Sequence, residues 1–308
     1  MKHNNIIIVI IISIISLIAC QNGTDKHKAS TPKLKMVAIP AVYSTKEARE
    51  TYIANHFWDV MDFADSSYLN DKLSLDVHYS SYINNLRKFP ANLAKTSLEK
   101  FTISVLKANK PLKEYLLEII EKSLYDPNSG LRNESFYITV LKTIISNEEF
   151  DPTLKERYKE QLQLALKNNP GEIANDFKYT TIKGRQTNLH SLPKKYTLVM
   201  FYEPNCPACE ASLEYFSDNT VIELASKSFN MLAVYTGDNL DEWKKSAKNF
   251  KPYWIVAHDN DMAITMERLY DRRPSPSFYL LDKNRKVILK DALTQDVIYE
   301  ISKILQPQ

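Results

Sequence analysis

From Thr45 to Asn168 apolar residues recur at intervals of three and four, as in Leu112, Tyr115, Leu116, Ile119 and Ile120, which is the spacing that lines one face of an α-helix. The pattern breaks at Asn70-Asp71, Phe89-Pro90, Lys110-Pro111, Asp126 to Gly130 and Asp151-Pro152, each a turn signal or a capping residue followed by proline at the first helical position. Five or six helices are expected. After Asn168-Asn169-Pro170-Gly171 the period changes, and strand-like runs alternate with helical ones.

The predicted strands are Tyr196–Tyr202, Asn230–Tyr235, Tyr253–Ala257, Ser277–Leu281 and Val287–Lys290, the last two joined by Asp282 to Arg285. The predicted helices are Cys206–Ala225, Leu240–Asn249, Met262–Tyr270 and Thr294–Leu305. Such alternation argues for a central sheet with helices on both faces. The fold class is thus α/β preceded by an all-α domain, and 308 residues suffice for two cores.

The N-terminus has its own pattern. Lys2 and His3 precede an apolar run, Ile6 to Ile18, interrupted only by Ser13 and Ser16. At ~13 residues it fits a signal-peptide core and falls short of the ~20 that span a bilayer. It ends in Leu17-Ile18-Ala19-Cys20, which resembles a bacterial lipobox whose cysteine is diacylated and becomes the mature N-terminus. Two acyl chains anchor stably where one does not. The expected organisation is a signal peptide over 1–19, a lipidated Cys20 with a flexible tether over 20–44, a helical domain over 45–168 and a second domain over 169–308. The protein is expected to be lipid-anchored to a bacterial membrane and to face the periplasm.

Composition narrows the function. Net charge is +3 with Lys and Glu dispersed, which gives no basic stripe for nucleic acid. Five glycines form no phosphate-cradling motif. There are three cysteines. With Cys20 assigned to lipid, Cys206 and Cys209 have only each other, in a compartment where disulfides persist. They stand as Cys206-Pro207-Ala208-Cys209 directly after the strand ending at Tyr202. A helix starting there would place Cys206 at its N-cap, where free amides and the helix dipole favour a thiolate. Cys206 is then the attacking sulfur and Cys209 the resolving one. A zinc site lacks two further ligands within reach, a structural disulfide closes a loop too short to gain much entropy, and a binding module with incidental redox chemistry is the serious alternative. No cofactor and no metal are expected.

This layout resembles the TlpA/ResA-type thioredoxin-like thiol-disulfide oxidoreductases and the peroxiredoxins. The resemblance rests on Ala174-Asn-Asp-Phe177, the Gly184 turn, the cysteine pair, and Pro276-Ser-Phe-Tyr-Leu-Leu-Asp282 against a P-T-x-x-L-x-D pattern. It implies a thioredoxin-like fold, catalytic Cys206 and Cys209 that form a redox disulfide, and a cis-proline at Pro276, with Pro274 the competing position. Ser275 and Pro276 would bind substrate by pairing the Ser275 backbone with an extended protein chain. Partners would be protein thiols or disulfides and a membrane-linked redox partner. Three positions depart from the pattern: Asn205 replaces an aromatic residue, Met200 a buried acid and Ser212 a carboxylate. Glu203 stands where a peroxidatic site has Thr. Glu203 and Glu210 read as surface carboxylates.

Two stretches of the helical region, Asn55–Asp65 and Tyr125–Glu134, resemble a DUF5106-like domain of unknown function. Asp59, Asp62 and Asp65 would share a helix face as ligands, or more simply face water while Phe57, Trp58, Met61 and Phe63 face a core. His56 and His78 read as surface or capping residues.

Overall fold

The computed structural model describes residues 33–306, so the Ile6–Ile18 run and Cys20 lie outside the described residues. The first half is helical: α1 (Lys46–His56), a 3-10 turn (Ser66–Asp71), α2 (Lys72–Leu86), α3 (Ala91–Lys107), α4 (Lys110–Leu124), α5 (Glu134–Ser146) and α6 (Pro152–Ala165). Most starts are fixed locally. Thr45, Asp71, Asn109, Asn133 and Asp151 each accept an amide of the first turn, and Pro111 and Pro152 occupy positions where a missing N–H is harmless.

The core of this half is aromatic. Phe57, Tyr79, Tyr82 and Phe101 are buried, and Trp58 stacks on Phe101 at 4.3 Å. Because α1 ends at His56, the three aspartates share no helix face. Asp59 pairs with His56 at 2.7 Å, Asp62 accepts the Ala64 amide and Asp65 the Ser67 amide. They cap turns. His78, expected at the surface, is instead buried between Phe57 and Trp58. The tether also differs from expectation where it is described, since Leu34 and Val37 pack against this core, their three-residue spacing presenting one apolar edge.

The second half is a seven-stranded mixed sheet: β1 (Lys178–Thr181), β2 (Gln186–Asn188), β3 (Tyr196–Tyr202), β4 (Phe229–Tyr235), β5 (Trp254–His258), β6 (Ser277–Leu281) and β7 (Val287–Ala292), in the order β2-β1-β5-β4-β3-β6-β7. Strands β3, β4 and β5 run parallel, and β6 is antiparallel to β3. β3 is buried on both faces, which explains its unbroken apolar run. Leu198, Met200 and Tyr202 point into one layer and Val199 and Phe201 into the other.

The helices are α7 (Pro207–Ser217), α8 (Thr220–Ala225), α9 (Leu240–Ser246), α10 (Ala263–Met266) and α11 (Thr294–Leu305). Two expectations need correction. The helix expected over Cys206–Ala225 is broken because Asn219 turns its side chain to the Val221 amide and caps a new helix. The one expected over Met262–Tyr270 is a single turn: Met262 and Arg268 are left-handed at φ 53° and 49°, and the carbonyls of Glu267, Arg268 and Leu269 are taken by Lys167 and Asn168.

Those contacts make the junction between the halves a built structure. Asn168 is buried, accepts the Asn175 amide and donates to Leu269, while Gly171, at a φ of 88° open to glycine, donates to Val287.

Candidate redox site

Strand β3 ends at Tyr202, and Glu203-Pro204-Asn205 turn the chain into α7. Asn205 takes φ 60°, a conformation that asparagine tolerates better than an aromatic residue would. Cys206 is the N-cap of α7: its Sγ accepts the Cys209 amide at 3.3 Å, with Pro207 in the first turn. Register then supplies the second wall. Phe201 of β3 pairs with Ser277 of β6, which sets the loop before β6 against the start of α7. The bond between Ser275 and Pro276 is cis, while Pro274 lends its carbonyl to the Ser277 hydroxyl at 2.5 Å.

The structure brings Cys206, Cys209, Ser275 and Pro276 together. Cys206 is partly exposed and Cys209 buried. Cys206 Sγ donates to the Ser275 carbonyl at 3.7 Å, and Cys209 Sγ lies 3.2 Å from Ser275 Oγ. The two sulfurs are not bonded to each other in this structure, and each lies within hydrogen-bonding distance of Ser275.

Their electrostatics differ. Burial works to raise the Cys206 thiol, but the Cys209 side chain and amide, Ser275 and the Ala208 amide together hold it below the ordinary thiol value. Burial pushes Cys209 up to about 12, reinforced by the neighbouring Cys206 sulfur and opposed by Ser275 and the Glu203 amide. One sulfur is thus prepared as a thiolate and the other held as a thiol.

Among the described residues no carboxylate hydrogen-bonds to either sulfur. Met200 is fully buried among apolar neighbours of Cys209, and Ser212 spends its hydroxyl on Ala208 and Thr294. Glu203 and Glu210 are exposed. The polar group beside the deeper sulfur is the Ser275 side chain, which sequence reasoning used only for its backbone; a hydroxyl residue directly before Pro276 was the available signal. Among the described residues no three His, Cys, Asp or Glu side chains gather as a metal site.

Residues 19–168 match the model of DUF5106, a domain of unknown function, and residues 170–290 match the AhpC/TSA family. The crystal structure of a thioredoxin-like protein from Bacteroides caccae superposes with a TM-score of 0.81 at 32% identity, covering 89% of this chain and 99% of that one. The C-terminal domain of an uncharacterized protein from Bacteroides fragilis is 37% identical over 44% of this chain and 98% of its own, with a TM-score of 0.43. Thiol-disulfide oxidoreductase ResA of Geobacillus thermodenitrificans is 26% identical over 140 residues, which is 44% of this chain and 78% of the relative. Two family matches laid end to end, a near full-length structural relative and a cysteine pair at the start of a helix lead to one assignment: the chain belongs to the thioredoxin-like proteins, with an AhpC/TSA-family domain behind a DUF5106 domain.

Proposed function

We propose that this protein is a thiol-disulfide oxidoreductase acting on protein thiols and disulfides, tethered outside the cytoplasm by a lipid on Cys20. The observation that carries the redox half is the asymmetry of the pair: a partly exposed, thiolate-favouring Cys206 and a buried, proton-holding Cys209, both against Ser275. Similarity to ResA agrees with it. In the reductive direction the Cys206 thiolate attacks a substrate disulfide. One substrate sulfur leaves and takes up a proton, and the other remains bonded to Cys206. Cys209 then attacks Cys206 Sγ, with the Ser275 hydroxyl donating to its developing thiolate and its proton passing to the substrate sulfur that leaves. The second substrate sulfur departs, and the enzyme holds the two-electron oxidation as a Cys206–Cys209 disulfide. A membrane-linked redox partner resets the pair. The reverse sequence oxidises a substrate, and the reduction potential of the couple decides the direction.

The extended edge at Ser275 and Pro276 is the substrate-binding element in this reading. It is tested with Cys209→Ser, which removes the resolving thiol and should accumulate mixed disulfides on Cys206 in cells. No trapped partner, together with no activity in insulin reduction, would sink the enzyme reading. The tether is supported by the Leu17–Cys20 motif, and palmitate-analogue labelling should disappear in Cys20→Ala.

A further inference from the structure

The segment Tyr125–Glu134, one of two stretches that set the helical domain apart in sequence, has no part in the chemistry above. It is where the helical domain grips the sheet domain. The Tyr125 ring carries the Arg273 guanidinium at 3.3 Å from its centroid, and its carbonyl accepts from Arg273 Nη1 at 2.7 Å. The rest of that guanidinium is taken by Asp271, through Nε at 2.9 and 3.0 Å and Nη2 at 2.5 Å. Arg132 donates to the Asp291 carboxylate and, at 3.5 Å, to its carbonyl. Glu134 pairs at 2.8 Å with Lys290, which also reaches Ala165 at 2.7 Å and Asn169 at 3.2 Å.

These contacts fall on the two flanks of β6. Asp271 and Arg273 belong to the loop that delivers Ser275, and Lys290 and Asp291 belong to β7, its neighbour in the sheet. Tyr279 of β6 donates to the Asp271 carbonyl at 2.8 Å, which ties loop and strand into one unit. A helical domain serving only as a spacer or a partner-binding arm needs no contact with this loop.

We propose that the helical domain is a positioning clamp for the redox centre, with Tyr125 and Arg273 the positioning residues that fix the Ser275 loop against Cys206 and Cys209. This rests on the oxidoreductase reading for its consequence in catalysis, though not for its effect on the thiols. Arg273 lies two residues from Ser275, and hydrogen bonds weaken steeply with misalignment, so a loop freed at Arg273 draws the Ser275 hydroxyl away from the two sulfurs and removes the side-chain contact that helps hold the Cys206 thiol below its ordinary value. Arginine is required because lysine supplies neither the planar fork for Asp271 nor the face for Tyr125.

The test uses the full chain with Tyr125→Leu, Arg273→Lys, the conservative Tyr125→Phe, and Arg268→Ala. The last cuts another tie between the domains, the 3.0 Å pair of Arg268 and Glu160, which holds the start of the same loop five residues before Arg273 and makes no contact with Ser275. Two quantities are read: the pH profile of Cys206 alkylation by iodoacetamide, and kcat and KM for reduction of a disulfide-bonded peptide. Tyr125→Leu and Arg273→Lys should move the alkylation profile to higher pH by about half a unit, roughly a threefold loss of thiolate at fixed pH. They should lower kcat/KM about tenfold. Tyr125→Phe and Arg268→Ala should behave as the parent. Parent-like profiles for both clamp variants, or an equal shift in Arg268→Ala, would overturn the clamp in favour of a plain structural staple. A parent protein with no peptide reduction would defeat the oxidoreductase reading instead, and the alkylation profiles would still decide the clamp.

Discussion

At the residue scale, two cysteines one helical turn apart in sequence are made chemically unlike by a helix start and a burial difference. Cys206 sits at the cap of α7 and keeps some exposure; Cys209 is in the core with only Ser275 and backbone for polar company. Partial labelling with iodoacetamide should therefore modify Cys206 at lower pH than an ordinary thiol and leave Cys209 untouched; mass spectrometry locates the adduct, and labelling of Cys209 first would contradict the assignment. Ser275→Ala removes one hydrogen bond to the Cys209 thiolate. Resolution of a mixed disulfide should slow about fivefold, the effect of roughly 1 kcal/mol, while formation of that mixed disulfide changes less. Quench-flow on a trapped peptide separates the two steps. The cysteines, Pro276 and the lack of nearby acids were legible in the residues themselves. The task of the Ser275 hydroxyl was not, because it depends on a contact across 66 residues.

At the element scale, the helix starts were legible wherever a capping side chain acts on its own first turn. Asn109 and Asp151 before proline, and Cys206 before Pro207, are of this kind. Asn109 adds a longer tie, since its side chain accepts the Leu112 amide at 3.1 Å and donates to the Ala64 carbonyl at 2.9 Å. Asn109→Ala should destabilise the protein by about 1–2 kcal/mol, seen as a lower urea midpoint at unchanged slope. Elements shaped by distant partners were misjudged. Met262–Tyr270 has the apolar spacing of a helix, yet its last carbonyls are spent on Lys167 and Asn168 about one hundred residues away. The Asn55–Asp65 stretch was legible in its packing, since Phe57, Trp58, Met61 and Phe63 do face the core while Asp59 and Asp62 face water, but not in its backbone, which leaves the helix after His56.

At the scale of the whole molecule, the seam between the halves carries buried charge. Burial raises the Asp291 carboxyl to about 6 despite Arg132, with nearby Asp271 adding to the rise, and burial likewise raises Glu134 despite Lys290. The native protein therefore holds a proton that the unfolded chain releases between about 4 and about 6. Stability should fall as pH rises through that window, by on the order of 2–4 kcal/mol from Asp291. Thermal unfolding of Asp291→Asn should show a flatter profile over that range than the parent does. An unchanged profile would place the titration elsewhere. Breaking the pair from the other side, by Arg132→Ala, leaves a buried carboxylate and should lower stability more at pH 7.5 than at pH 5.

Local information settled a great deal in this chain. Apolar period, capping residues and proline positions lie within a few residues of what they specify, so the helical half, five of the seven strands and the cysteine pair at a helix start could all be read from the sequence. The change of period near Asn168 is local as well, whereas the buried, bonded junction there is not. Contacts between segments far apart in sequence were decided only by the tertiary structure. Sheet register sets Ser275 beside both thiols, burial separates Cys206 from Cys209 in acidity, and packing of Tyr125 on Arg273 joins the helical half to the loop at the redox site. A one-dimensional pattern records which residues can bury or bond, and only the closed fold determines which of them meet.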